Sequence, residues 1–342
     1  MNDLAAFLAE DFARIAPHAP ALDGLHGQRL YLSGATGFFG RNLLALLAWL
    51  HGRGLRFEVV GLSRDPDRFL AAHPWAARQP WLALQRGDAR APWPGEGRFD
   101  ALLHAATDTH ASAHTDPQAV FDDGVAGARQ ALAFAAAHGV KRLLLTGSGA
   151  QYGELPAGPV AEAHAAACDA TQPASAYGEA KRVAELLASM ASARSGLAVV
   201  PTRCFAFVGP GLDLHGHFAI GNFIRDALAG GPLSLSSDGS SVRSYLYGAD
   251  LAWWLLHALL AAPAGQALNI GSDEGLSIAA LARLTRDLLA SEAEVHLGPA
   301  QPGAARRHYL PAIDRARQCG LAVWTPLPLA LQRTARWHQQ ET

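Results

Sequence analysis

The chain reads RLYLSGATGFFG from Arg29 to Gly40 and continues into an apolar stretch at 42–50. The first five residues predict a buried strand and the apolar stretch predicts a helix, so a glycine loop joins a strand to a helix. The glycines Gly34, Gly37 and Gly40 are spaced Gly-x-x-Gly-x-x-Gly. This spacing allows a tight turn, close helix–sheet packing and the approach of a pyrophosphate to the helix N-terminus.

Strand-like and helix-like segments alternate downstream of this loop. Strands are expected at 29–34, 57–62, 82–86, 100–104, 141–146 and 197–202, and helices at 38–51, 117–138 and 176–195. This alternation predicts an α/β fold, with a parallel sheet and helices on both of its faces. Past Gly209, loops such as Pro210-Gly211 break the pattern, and we expect these later segments to build a smaller lobe.

A tyrosine and a lysine stand four residues apart, at Tyr177 and Lys181. The chain has only two lysines among its 28 basic residues, so a lysine here indicates a need for an ammonium group. If the segment is helical, both side chains share one face, and the cation lowers the phenol pKa from its usual value of about 10. The pair would then supply a general acid and base near neutral pH. The alternative is an ordinary helix surface.

Further motifs follow the glycine loop and the tyrosine–lysine pair in a fixed order. They are Gly87-Asp88, His104-Ala105-Ala106, the TGSGAQYG segment at 146–153, Arg203, Gly209-Pro210-Gly211, Val242-Arg243 and Asn269-Ile270-Gly271-Ser272. With these motifs the chain resembles the extended short-chain dehydrogenase/reductase family, in its nucleotide-sugar epimerase/dehydratase/reductase branch. The resemblance extends from about Gly27 to the C-terminal helix.

The resemblance implies a Rossmann-type doubly wound parallel sheet with a smaller C-terminal substrate-binding lobe. It divides the chain into an N-terminal helical extension at 1–26 and a dinucleotide-binding domain at 27–208. The remainder, 209–342, is expected to be mainly the substrate-binding lobe, from which 249–271 returns to the dinucleotide-binding domain.

The resemblance also implies a homodimer, in which the helices at 117–138 and 176–195 pair with their symmetry mates as a four-helix bundle. Both helices carry apolar residues on more than one side, including Ala128 in the first and Leu187 in the second. A helix that is apolar on two sides must bury both of them, and a twofold contact would do so.

For catalysis, the resemblance implies Ser148, Tyr177 and Lys181. Tyr177 would exchange a proton with a sugar oxygen while a nicotinamide exchanges a hydride with the attached carbon. Lys181 would hold the phenolate and bind the nicotinamide ribose, and Ser148 would hydrogen-bond the reacting oxygen. The alternative for Ser148 is a turn serine between glycines.

The two residues after Ser148 are Gly149 and Ala150. The family's 4,6-dehydratases carry Asp-Glu there, because elimination of water needs an acid and a base, and its decarboxylases carry a glutamate. Their absence leaves ketoreduction or epimerisation, and we expect C4 ketoreduction of a nucleotide-activated 4-keto-6-deoxyhexose. A 4-epimerase with tightly held NAD is the alternative, and a non-catalytic NADP-sensing protein is a more remote one.

For the cofactor, the resemblance implies a site that collects residues from several strand ends. They are Gly34, Thr36, Gly37, Phe38, Phe39, Gly40, Ser63, Arg64, Asp88, Ala89, Ala105, Ala106, Tyr177, Lys181 and Cys204. Neutral Ser63 and cationic Arg64 favour NADP, although Asp65 could instead select NAD. Asp88 would bind the adenine amine, whereas His104 is expected to be a packed strand residue.

For the substrate, a nucleotide sugar, the resemblance implies Thr107, Ser148, Asn222, Arg243 and Arg307. Arginine suits the diphosphate because its guanidinium binds phosphate in a bidentate geometry. The alternatives are a strand-edge salt bridge for Arg243 and a solvated loop charge for Arg307.

Composition excludes several other classes of protein. A net charge of -2 gives no basic field for nucleic acid. The three cysteines are few, odd in number and far apart, which favours reduced thiols and a cytoplasmic protein. No apolar run approaches the roughly 18 residues of a membrane span. His215, His217 and His308 lack neighbouring carboxylates or cysteines at ligand spacing, so no metal site is expected.

Overall fold

A computed structural model describes residues 3–107, 116–165, 167–216, 218–290, 292–300 and 308–341. Within these ranges the strands are β1 (Arg29–Ser33), β2 (Glu58–Ser63), β3 (Leu82–Arg86), β4 (Ala101–His104), β5 (Arg142–Ser148), β6 (Ala198–Cys204), β7 (Phe207–Val208), β8 (Leu233–Ser234), β9 (Val242–Arg243), β10 (Leu246–Tyr247), β11 (Leu268–Ile270), β12 (Leu276–Ser277), β13 (Val295–His296) and β14 (His308–Tyr309). The helices are α1 (Leu4–Ile15), α2 (Phe38–Gly52), α3 (Pro66–Ala72), α4 (Pro74–Ala77), α5 (Pro117–Ala137), α6 (Ala176–Ser195), α7 (Ala219–Leu228), α8 (Gly248–Ala261), α9 (Ile278–Leu289), α10 (Asp314–Gln318) and α11 (Leu327–Glu341).

Seven of these strands form one parallel sheet, in the order β11-β6-β5-β4-β1-β2-β3. From β1 the chain builds outward through β2 and β3, and from β4 it builds the other way through β5 and β6. The strand order therefore reverses between β1 and β4, where the carboxyl ends of the strands leave a crevice for a ligand. The predicted doubly wound, Rossmann-type sheet is confirmed.

Apolar cores cover both faces of this sheet. Leu30 and Leu32 of β1 pack into one core with Trp254 of α8. Tyr31, between them, packs into the other core with Phe134 of α5. Neighbouring strand residues point to opposite faces, so a strand that is buried on both faces reads as an uninterrupted apolar run. This is why β1 can be recognised in the sequence.

Helix α1 packs against α2 and is tied to the C-terminal helix α11 by a buried ion pair. Arg333 of α11 donates to an Asp11 oxygen at 2.8 Å, and the Tyr247 hydroxyl donates to the same oxygen at 3.1 Å. Asp11 is only 2% exposed and Arg333 8%. Removal of one partner would leave a buried charge uncompensated, which is strongly destabilising. The segment before β1 is therefore part of the packed core.

The C-terminal segments divide between the main sheet and smaller structures. β11 pairs with β6, and α8 packs against α2. The remaining strands form the small sheets β10-β7, β12-β9-β14 and β13-β8, beside α7 and α9, which pack on each other. The loop-rich sequence did not predict α7 or α9, nor α3 and α4 between β2 and β3. None of the helices in the described ranges has the length and hydropathy needed to cross a bilayer.

Candidate active site

Close backbone contacts at two glycines set the shape of the loop between β1 and α2. Gly34 adopts φ +76°, and a β-carbon there would lie 2.6 Å from the Ala105 carbonyl carbon. A β-carbon at Gly40 would collide with the Gly34 carbonyl oxygen, so α2 approaches the sheet only because residue 40 is glycine. A β-carbon at Gly37 would meet nothing closer than Gly34 O, at 3.5 Å. Gly37 therefore borders free space at the start of α2, where a pyrophosphate would bind.

The neighbouring residues of the predicted cofactor site line the same strand ends. Thr36 lies in the glycine loop, and Phe38 and Phe39 begin α2, where the Phe39 ring packs edge-to-face on Phe207 with the ring centres 4.9 Å apart. Ala105 follows β4 directly, and its N–H donates to the Ser33 carbonyl at 3.0 Å.

His104 and Ala106 stand on either side of Ala105. His104 is buried, with its Nδ1 2.6 Å from the Ser33 hydroxyl. Burial, together with the Lys181 charge, lowers the pKa of His104 to about 3. His104 is therefore a neutral packed residue. A β-carbon at Gly34 would also lie 2.7 Å from the Ala106 backbone nitrogen.

Lys181 lies in the crevice with its ammonium group held by two oxygens. Its Nζ donates to the Thr107 hydroxyl at 2.7 Å and to the Thr146 carbonyl at 2.8 Å. The same nitrogen is 6.0 Å from the centre of the Tyr177 ring. Burial lowers the pKa of Lys181 from 10.5 to about 8. Thr107, predicted to contact the substrate, is here a partner of Lys181.

The expected acidification of Tyr177 is wrong. Burial raises the pKa of Tyr177 above its ordinary value of 10, and the nearby Tyr309 adds to this effect. Hydrogen bonding with Ser148 lowers the pKa, but its effect is smaller than that of burial. Lys181 does not offset the burial, because its ammonium is directed at Thr107 and Thr146. The phenol of Tyr177 is therefore protonated at neutral pH.

Ser148 brings three hydroxyl groups together at the end of β5. Its side chain accepts a hydrogen bond from the Ala150 N–H at 3.1 Å, and hydrogen bonding with Ser148 partly offsets the rise that burial causes in the pKa of Tyr177 and of Tyr309. A β-carbon at Gly149 would lie 2.8 Å from the Tyr309 hydroxyl oxygen. The glycine that stands where the dehydratases carry an acid thus makes room for Tyr309.

Tyr309 was not found by the sequence analysis, and it connects the hydroxyls of Ser148 and Tyr177 to the small sheet that contains β9 and β14. In the β9–β14 pair its register partner is Arg243, whose guanidinium carbon lies 5.2 Å from the Tyr309 ring centre. Arg243 is exposed. Asn222, on α7, accepts a hydrogen bond from Arg225 at 3.1 Å. Arg307, also predicted to bind substrate, lies outside the described residues.

The residues at the end of β2 show which charges are already engaged. The Ser63 hydroxyl accepts from the Asp65 N–H at 3.2 Å. Asp65 caps α3 by accepting from the Arg68 N–H and also pairs with Arg86, both at 3.3 Å. Arg64 is exposed, and no ion pair joins its guanidinium to any residue that the structure describes. The Asp65 carboxylate is therefore already occupied by the Arg68 N–H and Arg86, whereas the Arg64 guanidinium is accessible to solvent.

Asp88 is engaged more strongly than the sequence predicted. Both of its oxygens accept from the Arg90 guanidinium, at 2.7 and 2.9 Å, and hydrogen bonds from Arg90 lower the pKa of Asp88 to about 2. An adenine amine would therefore have to share the carboxylate with Arg90. The adjacent Ala89 carbonyl accepts from the Trp93 indole at 3.0 Å.

The last predicted cofactor residue, Cys204, is buried at the end of β6. Burial raises its pKa to about 12, so it is a neutral thiol near Lys181. Among the described residues, no cluster of histidine, cysteine and carboxylate side chains could hold a metal ion. His217, one of the three histidines considered in the sequence, lies outside those residues.

Comparison with known proteins finds similar sequences that are named as a decarboxylase and as an epimerase. The chain is 30% identical to UDP-glucuronic acid decarboxylase 1 of Xenopus tropicalis over 202 residues, which are 58% of this chain and 47% of that protein. It thus spans about half the length of that relative. It is 26% identical to UDP-glucose 4-epimerase of Lacticaseibacillus casei over 264 residues, 71% of this chain and 77% of that one.

A solved structure shares both the fold and part of the sequence. DesIV, a dTDP-glucose 4,6-dehydratase from Streptomyces venezuelae solved with NAD and TYD bound, superposes with a TM-score of 0.75 and 26% identity, over 91% of this chain and 97% of that one. The family model for the NAD dependent epimerase/dehydratase family matches residues 30–271, which include the glycine loop, Ser148, Tyr177 and Lys181. The chain therefore belongs to the NAD dependent epimerase/dehydratase family.

Proposed function

We propose that the protein is an oxidoreductase that reduces the C4 keto group of a nucleotide-activated 4-keto-6-deoxyhexose. The observation that carries this proposal is the hydrogen bond between the hydroxyls of Ser148 and Tyr177, beside Gly149 and Ala150. Two hydroxyl donors suit proton delivery to a carbonyl oxygen. The carboxyl groups that elimination of water would need after Ser148 are missing from positions 149 and 150.

Each catalytic side chain has one task in this reduction. A bound nicotinamide supplies the hydride for C4. Tyr177, protonated before reaction, gives its proton to the carbonyl oxygen, so that C=O becomes CH–OH, and Ser148 hydrogen-bonds that oxygen as negative charge develops. Lys181 would hold the ribose hydroxyls, and Thr107 and Thr146 orient its ammonium.

Arg243 is proposed to bind the substrate's diphosphate. It is exposed and stacks over Tyr309, which contacts Ser148, so a group bound at Arg243 lies one side chain from the catalytic hydroxyls. A guanidinium binds phosphate oxygens in a bidentate manner. The named sugars of the three relatives all carry a nucleoside diphosphate, which favours this ligand class. Asn222 and Arg307 are proposed to join Arg243.

The second candidate function is a 4-epimerase, which the likeness to the Lacticaseibacillus casei enzyme favours. An epimerase keeps its cofactor through the cycle, whereas a reductase releases the oxidised form. Two measurements distinguish these functions. In the first, the purified protein is denatured and the extract is examined for released NAD. In the second, NADPH oxidation is followed with UDP-, dTDP-, CDP- and GDP-linked 4-keto sugars. One equivalent of NAD per protein and no NADPH oxidation would identify an epimerase and contradict the proposed reduction. A non-catalytic sensor would oxidise no NADPH and convert no sugar.

NADP is the proposed cofactor, since Arg64 is accessible and Asp65 is engaged with Arg86. Arg64→Ala should weaken NADP(H) binding roughly tenfold and leave NAD(H) binding unchanged, because only NADP(H) has a 2′-phosphate to lose a charge-assisted contact. Titration of both cofactors by fluorescence measures this. Arg68→Ala, one turn into α3, serves as the control. Equal losses for the two cofactors would contradict the role of Arg64.

A homodimer through α5 and α6 is also proposed, and the exposed apolar side chains of α6 support it. Leu186 is 60% exposed and Met190 52%, and Leu132, Leu187 and Met190 line a groove between the two helices. Ala128, which the sequence analysis placed at this contact, is only 1% exposed in the protomer core. A charged residue at position 128 would therefore disrupt the protomer core, so it would not be a test of dimer formation.

The dimer is tested with Met190→Arg. Light scattering at micromolar concentration should give a dimer for the wild type and a monomer for Met190→Arg, because the arginine cannot be desolvated against its symmetry mate. Leu297→Arg is the matched control, since Leu297 is similarly exposed, at 45%, but lies outside both helices. If the wild-type protein is a monomer at this concentration, the proposed homodimer is wrong.

A further inference from the structure

A buried glutamine, Gln151, links the backbone of Ser148 to helix α6. It lies in the 3-10 helix Gly149–Tyr152 and is 1% exposed. Its Oε1 accepts a hydrogen bond from the Ser148 backbone N–H at 2.8 Å, and its Nε2 donates to Glu185 Oε2 at 2.7 Å. One amide group therefore joins the backbone of Ser148 to helix α6.

The Glu185 end of this link is rigid. Glu185 lies on the same face of α6 as Tyr177 and Lys181, because successive members are four residues apart. Arg203, near the end of β6, donates to both Glu185 oxygens, at 2.8 and 3.2 Å. A bidentate pair of this kind fixes the orientation of the carboxylate. Gln151 therefore meets an acceptor whose position is set by both α6 and the sheet.

The surrounding backbone is shaped for the glutamine. A β-carbon at Gly147 would collide with Gln151 Oε1 and with the Thr202 carbonyl oxygen, so the amide fits only because residue 147 is glycine. Loss of the amide would leave the Ser148 N–H without this acceptor in a buried site, which is unfavourable. The Ser148 backbone would then shift to find another partner.

We propose that Gln151 is a positioning residue that fixes the Ser148 hydroxyl against the Tyr177 phenol. The proposal rests on the proposed function, which assigns the reaction to those two hydroxyls. Gln151 acts through the Ser148 backbone on one side and through Glu185 and α6 on the other. Gln151 thereby sets the distance between the Ser148 hydroxyl, at the end of β5, and the Tyr177 phenol, on α6. That distance decides whether both hydroxyls can reach the carbonyl oxygen of the substrate.

Gln151→Leu tests this role, because leucine is similar in size and makes neither hydrogen bond. We expect kcat to fall about tenfold, with KM for cofactor and sugar nucleotide nearly unchanged. Gln79→Leu is the matched control, since Gln79 also makes two hydrogen bonds, to the Trp75 carbonyl and the Trp81 indole at 3.0 Å each. It should lose stability but keep kcat. If Gln151→Leu likewise loses only stability, the positioning role is wrong.

Gln151→Glu adds a readout that a purely structural role would not move. The carboxyl oxygen can still accept from the Ser148 N–H, but it must carry a proton to donate to Glu185. Burial and the Glu185 carboxylate raise the pKa of this new carboxyl group, and the Arg203 guanidinium that binds Glu185 opposes them without removing the need for a proton between the two carboxyl groups. Relative to wild type, kcat should therefore be restored at low pH and fall as the pH rises through that pKa. A loss that is the same at every pH would contradict the proposal.

A crystal structure of Gln151→Leu separates this inference from the proposed function. We expect the Ser148 hydroxyl to move out of hydrogen-bond reach of Tyr177. An unchanged Ser148 would overturn the positioning role whatever the substrate is. In contrast, a displaced Ser148 together with full turnover by a Tyr177→Phe enzyme would uphold the positioning role and overturn the proposed chemistry.

Discussion

Tyr177→Phe is expected to lower kcat at least ~100-fold, the usual cost of a lost general acid, while the protein remains folded and binds its cofactor. The phenol is the protonated group that is hydrogen-bonded to Ser148, and phenylalanine removes only its hydroxyl. The Ser148 hydroxyl alone cannot replace it, because a serine hydroxyl is a far weaker acid. Steady-state NADPH oxidation gives kcat, and fluorescence titration gives the dissociation constant of the cofactor.

The matched control is Tyr31→Phe, which removes another buried tyrosine hydroxyl. Tyr31 donates to the Pro94 carbonyl at 2.8 Å and lies in the core below the site. Its loss should cost about 1 kcal/mol of stability and leave kcat unchanged. If Tyr177→Phe turns over as fast as Tyr31→Phe, Tyr177 is not the proton donor.

The fold was predictable because its signals are local. The strand β1 is an apolar run that is buried on both faces, and Gly34 and Gly40 are required by contacts within one strand–turn–helix unit. The C-terminal lobe lacks such signals. Its strands β9 and β14 are two residues each, and they pair residues that are more than sixty positions apart. Tyr309 reaches the site only through that pairing, so no local pattern could have identified it.

The placement of Lys181 beside Tyr177 could be predicted, but not its electrostatic consequence. Helical spacing puts the two residues on one face, and the structure agrees, with Nζ 6.0 Å from the ring centre. Spacing does not say what the ammonium binds or how deeply the phenol is buried. The ammonium binds Thr107 and Thr146, which come from neighbouring strand ends, and the phenol is buried by the fold as a whole. For this reason the prediction from the sequence overestimated the acidity of Tyr177.

Lys181→Met is expected to weaken cofactor binding and to lower kcat/KM roughly 100-fold, since it removes the positive charge from the centre of the site. The same variant should be more stable than the wild type at pH 7. Burial of the ammonium is unfavourable, as the lowered pKa of Lys181 shows, and methionine fills similar space without a charge. Thermal unfolding and cofactor titration of the two proteins measure both effects. A less stable variant would indicate that Lys181 is retained for structure.

The pH dependence of stability follows from the same shift. The pKa of Lys181 is about 8 in the folded protein and 10.5 ordinarily, so the unfolded chain binds more protons between these values. Stability of the wild type relative to Lys181→Met should therefore rise with pH from about 8 to about 10.5, and the cost of the buried charge is fully present below pH 8. Cofactor affinity should change in the opposite direction, weakening in the wild type as the ammonium loses its proton above pH 8. In Lys181→Met the cofactor affinity should no longer fall above pH 8, and an affinity that still falls there would place the titrating group elsewhere.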